Sequence, residues 1–518
     1  MESFSKKEYL VPELSPEEQP VSDRKRVEAA LATLGYGQVT FPLQVLRKLY
    51  PLSRDTKAGI TATLVRREQD WVVTDLEPGD RRQHHYGLAV DYGSTNIVMQ
   101  LVDLNSGAVI GQEQELNGQA ALGSDILTRI TYSLEAPGNR EVLRQATADT
   151  FAVLLDRFTE STGIDTARCG IMVLSGNTTM IHFLLGLDAW PVFAAPYAPI
   201  DEDPGFFWGQ ELGIPFEGLI YIIPAASNYV GGDIVSGLLA LGLHRQDEPA
   251  MFFDIGTNGE LVIGNREWLL AGAGAAGPAL EGYISPFGMR AAPGAVDSVK
   301  IRGPELTFTT VDGQKPVGIC GSGILDLLAQ MLEQGWINRA GELEPSASPR
   351  IRRFPEVGWA AVYAPETETP DGKPRYFSQQ DIFQYLDTKA AAYTMVDCLL
   401  ELAGIGPEQL GRCWLSGAFP AHSDLESAIT VGIFPDLPRD RYSLVHNSSL
   451  EGAKALLLDR SLLEEGKELA EKIYCVQFAS IPDFLIRMQA AKFLPHTDLA
   501  RFPSAARREA AQRQPQHF

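Results

Sequence analysis

The 518-residue chain has only five cysteines, Cys169, Cys320, Cys398, Cys413 and Cys475, and none lies near another. Without a CxxC or other close pair, the usual ligand spacings of a self-contained iron–sulfur cluster or structural zinc site are excluded. The thiols read instead as small buried hydrophobes. Basic charge is also scarce. Lys and Arg number 44 against 66 Asp and Glu, a formal charge of −22. That balance argues against nucleic acid or an anionic membrane as the main partner, since either would meet net repulsion. Long apolar runs are missing, each being broken by Asp, Gly or Glu before a membrane span is complete. No apolar segment follows the start Met1-Glu2-Ser3-Phe4-Ser5-Lys6-Lys7, so no signal peptide is read and the cytoplasm is the default. His84, His85 and His182 have no cysteine or carboxylate at a ligand spacing and are not read as metal ligands. His182 is expected to pack within its helix.

What is present is ample core material. Hydrophobic residues make up 45% and charged residues 21%, the composition of an ordinary globular protein, and the length calls for about three folding units. Two stretches carry the chemistry. In Leu88-Ala89-Val90-Asp91-Tyr92-Gly93-Ser94-Thr95 and again in Phe252-Phe253-Asp254-Ile255-Gly256-Thr257-Asn258-Gly259-Glu260, an apolar strand ends in Asp and turns through Gly and hydroxyl residues. Glycine lets the backbone approach a bulky anion, amides and hydroxyls donate to its oxygens, and the Asp can hold a hydrated cation. One such turn marks a strand end; two suggest a cleft between related α/β halves.

Taken in order, residues 1–24 are polar and are expected to form a flexible arm, and 25–84 a small α+β module of two helices and paired strands. Residues 85–245 should form a first lobe. Residues 246–498 should form a second, whose final helix is a candidate to return to the first. Residues 499–518 read as a disordered tail and 341–375 as a surface excursion. The strand Cys169–Leu174 delivers Asn177 and Thr178 to a helix start, where donors for an anion and simple caps are equally good explanations. Gly272 to Pro278, with Gly277, is a candidate loop bordering the cleft. Gly318 to Gly323, with Gly321 and Ser322, is either an anion cradle at a helix N-terminus or a packed turn. Lys389 sits near the middle of a helix over 380–403. The strand Trp414–Ser416 ends in Gly417-Ala418-Phe419-Pro420.

These features resemble the actin-like ATPases: sugar and acetate kinases, heat-shock chaperones and actin. Within that group the chain is most similar to the ATP-dependent reductive activators of corrinoid proteins. The likeness rests on Asn117-x-Gln119 through Gly123-x-Asp125-Ile126 to Arg129-Ile130; on Gly176 to Met180 with His182 and Leu184 to Leu187; on Asp254 to Glu260; on Ala275 to Gly282; on Gly288 to Ala291; on Gly318 to Gly323; and on Phe493 to His496. It implies a duplicated, ribonuclease-H-like two-lobed ATPase fold with a small N-terminal α+β module. By resemblance Asp91, Gly93, Ser94 and Thr95 form the first phosphate loop and Asp254, Gly256, Thr257 and Asn258 the second. Both Asp residues would hold Mg²⁺, mainly through water. Gly417 and Ala418 would lie under the adenosine of ATP. Glu260 either positions an attacking water or is a strand-edge carboxylate facing solvent. Lys389 either reaches the phosphates or is solvated.

The resemblance further implies an Mg-ATP-dependent activator that promotes reduction of cob(II)alamin to cob(I)alamin on a partner corrinoid protein. The chain departs from the family in lacking the cysteines of an iron–sulfur domain. With no iron–sulfur cluster of its own, it would need a separate electron donor. Pro420 and His446 stand where glycines are usual, which puts the shape of the adenosine pocket in question. A nucleotide-gated scaffold without catalysis and a small-metabolite phosphotransferase remain alternatives, and whether the chain pairs as a homodimer is left open.

Overall fold

The computed structural model describes residues 3–14, 18–256, 258–274, 280, 282–417, 419 and 423–513. The chain opens with strand β1 (Ser5–Leu10), helix α1 (Asp23–Thr33), β2 (Val39–Thr40), helix α2 (Leu43–Leu52), β3 (Ile60–Arg67) and β4 (Asp70–Pro78), forming a sheet of order β1-β3-β4-β2. Val27 and Leu31 of α1 and Val45 and Leu49 of α2, spaced on one helical face, close over Ile60, Ala62, Leu64 and Val73. The expected arm is therefore partly ordered: β1 pairs antiparallel with β3 from Ser5–Val65 to Leu10–Ile60. Its polar sequence hid a strand because ladder bonds need no apolar side chains. Buried Arg26 holds the following segment through the carbonyls of Pro12 and Glu13, and also binds that of Ser53.

The chain divides into two compact units, Met1–Gly242 with Ser448–Lys472, and Leu243–Asn447 with Ile473–Phe518. Unit 1 contains β5 (Tyr86–Tyr92), β6 (Asn96–Asp103), β7 (Val109–Leu116), β8 (Ile171–Gly176), β9 (Gly205–Trp208) and β10 (Leu219–Ile222), in the order β7-β6-β5-β8-β10-β9. β5, β6 and β7 form an antiparallel meander, and β8 joins β5 in parallel. Unit 2 repeats the plan with β11 (Ala250–Ile255), β12 (Gly259–Gly264) and β13 (Leu269–Gly274) as the meander and β14 (Arg412–Ser416) parallel to β11. The parallel strands β15 (Tyr442–Leu444) and β16 (Ile473–Cys475) flank it, giving β15-β14-β11-β12-β13-β16. The N-terminal module is bolted to the first sheet by buried Asp75, which accepts from Lys48 Nζ at 2.8 Å and Arg168 Nη2 at 2.7 Å.

The unit boundaries differ from those expected. The segment that rejoins unit 1 is the helix pair Ser448–Leu458 and Leu462–Lys472, whereas the last helices, Phe484–Ala491 and Pro503–Arg513, belong to unit 2. The presumed disordered tail is ordered as far as residue 513. Phe502 is fully buried, and Ser504 Oγ donates to Asp436 at 2.8 Å. One buried aromatic ring anchors the segment, and the polar composition around it concealed that. Within 341–375, the strand Gly358–Ala364 pairs with Ile351–Phe354 on one side and with Arg375–Ser378 on the other, and Ala360 to Ala364 are buried, so the excursion carries its own small sheet. No helix among the described residues is long and apolar enough to cross a membrane.

Candidate functional site

In unit 1 the alternation of β5 sends Leu88, Val90 and Tyr92 into the core beneath the sheet. Asp91 therefore faces the other way, half-buried. That face is covered by the helix Ser448–Leu458: Leu457 packs over Gly87, and Ser449 Oγ donates to Asp91 Oδ1 at 2.8 Å. Ser175, paired with Asp91 in the parallel register, lies 2.9 Å from the same Ser449 hydroxyl and donates to Gly232 O at 3.0 Å. The loop carrying Gly93, Ser94 and Thr95 is held from behind. Buried Asn117 donates through Nδ2 to Gly93 O at 3.0 Å and through its backbone N–H to Thr95 O at 2.8 Å. Gln119 ties the segment that carries Asn117 to the helix Asn139–Thr162 by donating to Leu143 O and Thr147 Oγ1. The Asn117-x-Gln119 string thus works as a brace.

In unit 2 Asp254 faces Glu260 directly across the antiparallel pair, and Gly256 N donates to Asn258 O at 2.9 Å to close the turn. Glu260 is only 7% exposed and belongs to a strand flanked on both sides, so the strand-edge, solvent-facing reading of it fails. Asp254 is paired with Ser416 in the parallel register, and Gly417 follows with φ +98°. A Cβ there would lie 2.3 Å from Ile255 O and 2.8 Å from Asp254 Oδ1. Only glycine lets the end of β14 approach the carboxylate so closely in that conformation. The two halves therefore repeat one constellation: an Asp near the end of the first strand, a Ser beside it on the parallel neighbour and a Gly immediately after that Ser.

Other expected site residues have different employment. Lys389 is fully buried, and its ammonium donates to the carbonyls of Ala491, Phe493 and Pro495. All three N–H bonds are used, so the phosphate-reaching and the solvated roles are both corrected. Burial alone pushes its pKa well down. Ser322, with Gly321 in the first turn of the helix Gly321–Glu333, donates its hydroxyl to Asp297 O at 3.0 Å. That is the packed turn. Asn177 caps the helix Thr178–Leu184 by accepting from Thr179 N, while Thr178 Oγ1 donates to Ser227 O at 2.7 Å. Thr257, Gly277 and Ala418 lie outside the described residues. The cysteines are free thiols, four of them buried.

His182 packs within its helix as expected, and its bonds assign its tautomer. Nδ1–H donates to Thr178 O at 2.8 Å and Nε2 accepts from Ile200 N at 3.0 Å. The ring is neutral, and burial lowers its pKa from the ordinary histidine value. Ser449 was not among the expected site residues. The only local trace of it is a hydroxyl three positions before Gly452 in an otherwise unremarked helix.

Comparison with known proteins places these features. Residues 1–83 match the model of the RACo linker region, 86–246 the RACo middle region, and 248–506 the C-terminal domain of RACo, the ASKHA domain. The chain belongs to the RACo family. Its fold is the two-lobed actin-like ATPase fold preceded by a small α+β module. Among relatives of this RACo chain, the corrinoid activation enzyme RamQ of Eubacterium limosum is 30% identical over 444 residues, covering 81% of this chain and 74% of RamQ. The [Co(II) methylated amine-specific corrinoid protein] reductase of Methanosarcina barkeri is 23% identical over 421 residues, covering 75% and 73%. A solved reductive activator for corrinoid, iron–sulfur protein superposes with a TM-score of 0.86 at 35% identity, covering 97% of this RACo chain and 81% of the solved one.

Proposed function

We propose that the chain is an Mg-ATP-dependent activator that promotes the one-electron reduction of cob(II)alamin to cob(I)alamin on a partner corrinoid protein. The electron comes from a separate low-potential donor, so one donor equivalent is oxidised for each cobalt reduced. The observation that carries the reading is the repeated Asp–Ser–Gly constellation at Asp91, Ser175 and Gly176 and at Asp254, Ser416 and Gly417, in a chain of this family. A carboxylate followed by a turn of backbone N–H groups suits a phosphate with its hydrated cation, because Mg²⁺ keeps several waters and needs few protein oxygens. The residues present fit that group. Asp91 and Asp254 would hold the hydrated Mg²⁺, which supplies charge neutralisation at the phosphates.

Gly93, Ser94 and Thr95, and Gly256, Thr257 and Asn258, are assigned to the phosphates, with Glu260 as the group that orients the attacking water and Gly417 with Ala418 beside the adenosine. Glu260 suits this because its buried carboxylate is fixed opposite Asp254 by the strand register. The test is to mix the protein with a cob(II)alamin-bearing corrinoid protein and a low-potential reductant, with and without Mg-ATP, and to follow the cobalt absorption spectrum. Faster formation of the cob(I) spectrum with Mg-ATP is expected. An identical rate with and without nucleotide overturns the proposal.

A further inference from the structure

We infer that Ser449 is a positioning residue for Asp91, setting that carboxylate from the helix through which the chain re-enters unit 1. The inference deepens the function proposed above and rests on it for its catalytic half. The observations are geometric. Ser449 Oγ donates to Asp91 Oδ1 at 2.8 Å and lies 2.9 Å from Ser175 Oγ. An ionised carboxylate only accepts, so the Ser449 proton lies on the Asp91 side, and the single Ser175 proton is shared between Gly232 O and Ser449 Oγ. A hydroxyl that donates to a carboxylate makes a stronger, charge-assisted bond, and it fixes the rotation of the carboxylate about its Cβ–Cγ bond.

Ser449 is itself held. Its backbone carbonyl accepts from Ser236 Oγ at 2.6 Å, on the helix Gly232–Leu241. One turn further on, a Cβ at Gly452 would fall 1.9 Å from Ser236 O, so the two helices touch backbone to backbone at this point. The chain passes from unit 2 into unit 1 between Asn447 and Ser448, directly before this serine. The seat of that helix therefore sets the aim of Asp91, in the way that groups behind a metal ligand orient it.

The test compares wild type with Ser449→Ala and Ser449→Thr in two arms. In the first, at pH 7.5 without nucleotide, thermal midpoints are measured for Ser449→Ala, Asp91→Ala and the double variant. Two side chains in contact should be coupled, so the deficit of the double variant should be smaller than the sum of the single ones. In the second arm, Mg-ATP turnover of Ser449→Ala should fall roughly 10–100-fold and the Mg²⁺ concentration for half-maximal turnover should rise, as for other groups that orient a ligand. Ser449→Thr should restore both. Additive deficits in the first arm, or wild-type turnover with an unchanged Mg²⁺ dependence in Ser449→Ala, overturn the inference. A wild type that neither binds nor turns over Mg-ATP sinks the proposed function instead, while the first arm still decides whether Ser449 and Asp91 are coupled.

Discussion

Ser449 and Asp91, 358 positions apart in sequence, share a 2.8 Å hydrogen bond. The residue that touches the first candidate carboxylate thus comes from a helix encoded after nearly the whole of the second unit. The second carboxylate is crowded by a backbone: the position where a Gly417 Cβ would sit is 2.8 Å from Asp254 Oδ1. The two sites repeat one strand plan with different supports.

Asp254→Ala should abolish any effect of Mg-ATP on cobalt reduction while leaving the thermal midpoint within a few degrees of wild type, because the residue is only half-buried at a strand end. Rates of cob(I) formation with and without nucleotide decide it. A variant stimulated as well as wild type removes Asp254 from the site.

Gly417→Ala should be more damaging than its size suggests. The left-handed φ alone costs on the order of 1–2 kcal/mol for a residue with a Cβ, and the added methyl would press on Ile255 O and the Asp254 carboxylate. Loss of ATP affinity of about tenfold or more is expected, together with a lowered midpoint. Calorimetric titration with nucleotide and thermal melts measure the two effects separately.

Lys389→Met should lower stability and leave the KM for ATP unchanged. Removing the ammonium strands the carbonyls of Ala491, Phe493 and Pro495, and each buried acceptor without a donor costs about 1–3 kcal/mol. A raised KM with an unchanged midpoint would return the lysine to the phosphates.

Acid should destabilise the protein through its neutral histidines. His182 is held neutral and its folded pKa lies below the ordinary value, so the unfolded chain binds the extra proton first. Stability is then lost as pH falls from the unfolded pKa of about 6.5 towards the folded one. His85, pushed down to about 4 by burial and then by Lys7, acts in the same direction. His182→Gln should melt below wild type at pH 7.5, and the gap should narrow towards pH 5. A gap that widens on acidification contradicts the assigned tautomer.

The aspartate turns were legible because strand, Asp and Gly are contiguous, and contiguity is what a linear pattern displays. The same holds for the helix faces of the N-terminal module, where Val27 and Leu31 keep helical spacing. Lys389 is not legible, for the opposite reason. Its partners are backbone carbonyls about a hundred positions away, and a carbonyl has no residue type to reveal it. Glu260 stands between two roles in the sequence because a strand's own residues do not say whether it is an edge, and only the pairing of β12 with β11 on one side and β13 on the other makes it an interior strand. Asn117 and Gln119 stand out as a string, but only the structure shows that Asn117 clamps the turn at Gly93 and Thr95 while Gln119 binds Leu143 and Thr147.

The loop-back of Ser448–Lys472 into unit 1 bears on any attempt to produce the halves separately. A fragment stopped at Gly242 would lay bare the Gly87–Asp91 face of its central sheet, and one begun at Leu243 would carry two helices whose seat had been deleted. Dissection of this chain calls for a rearranged gene, with 448–472 grafted behind 242 by a designed connection.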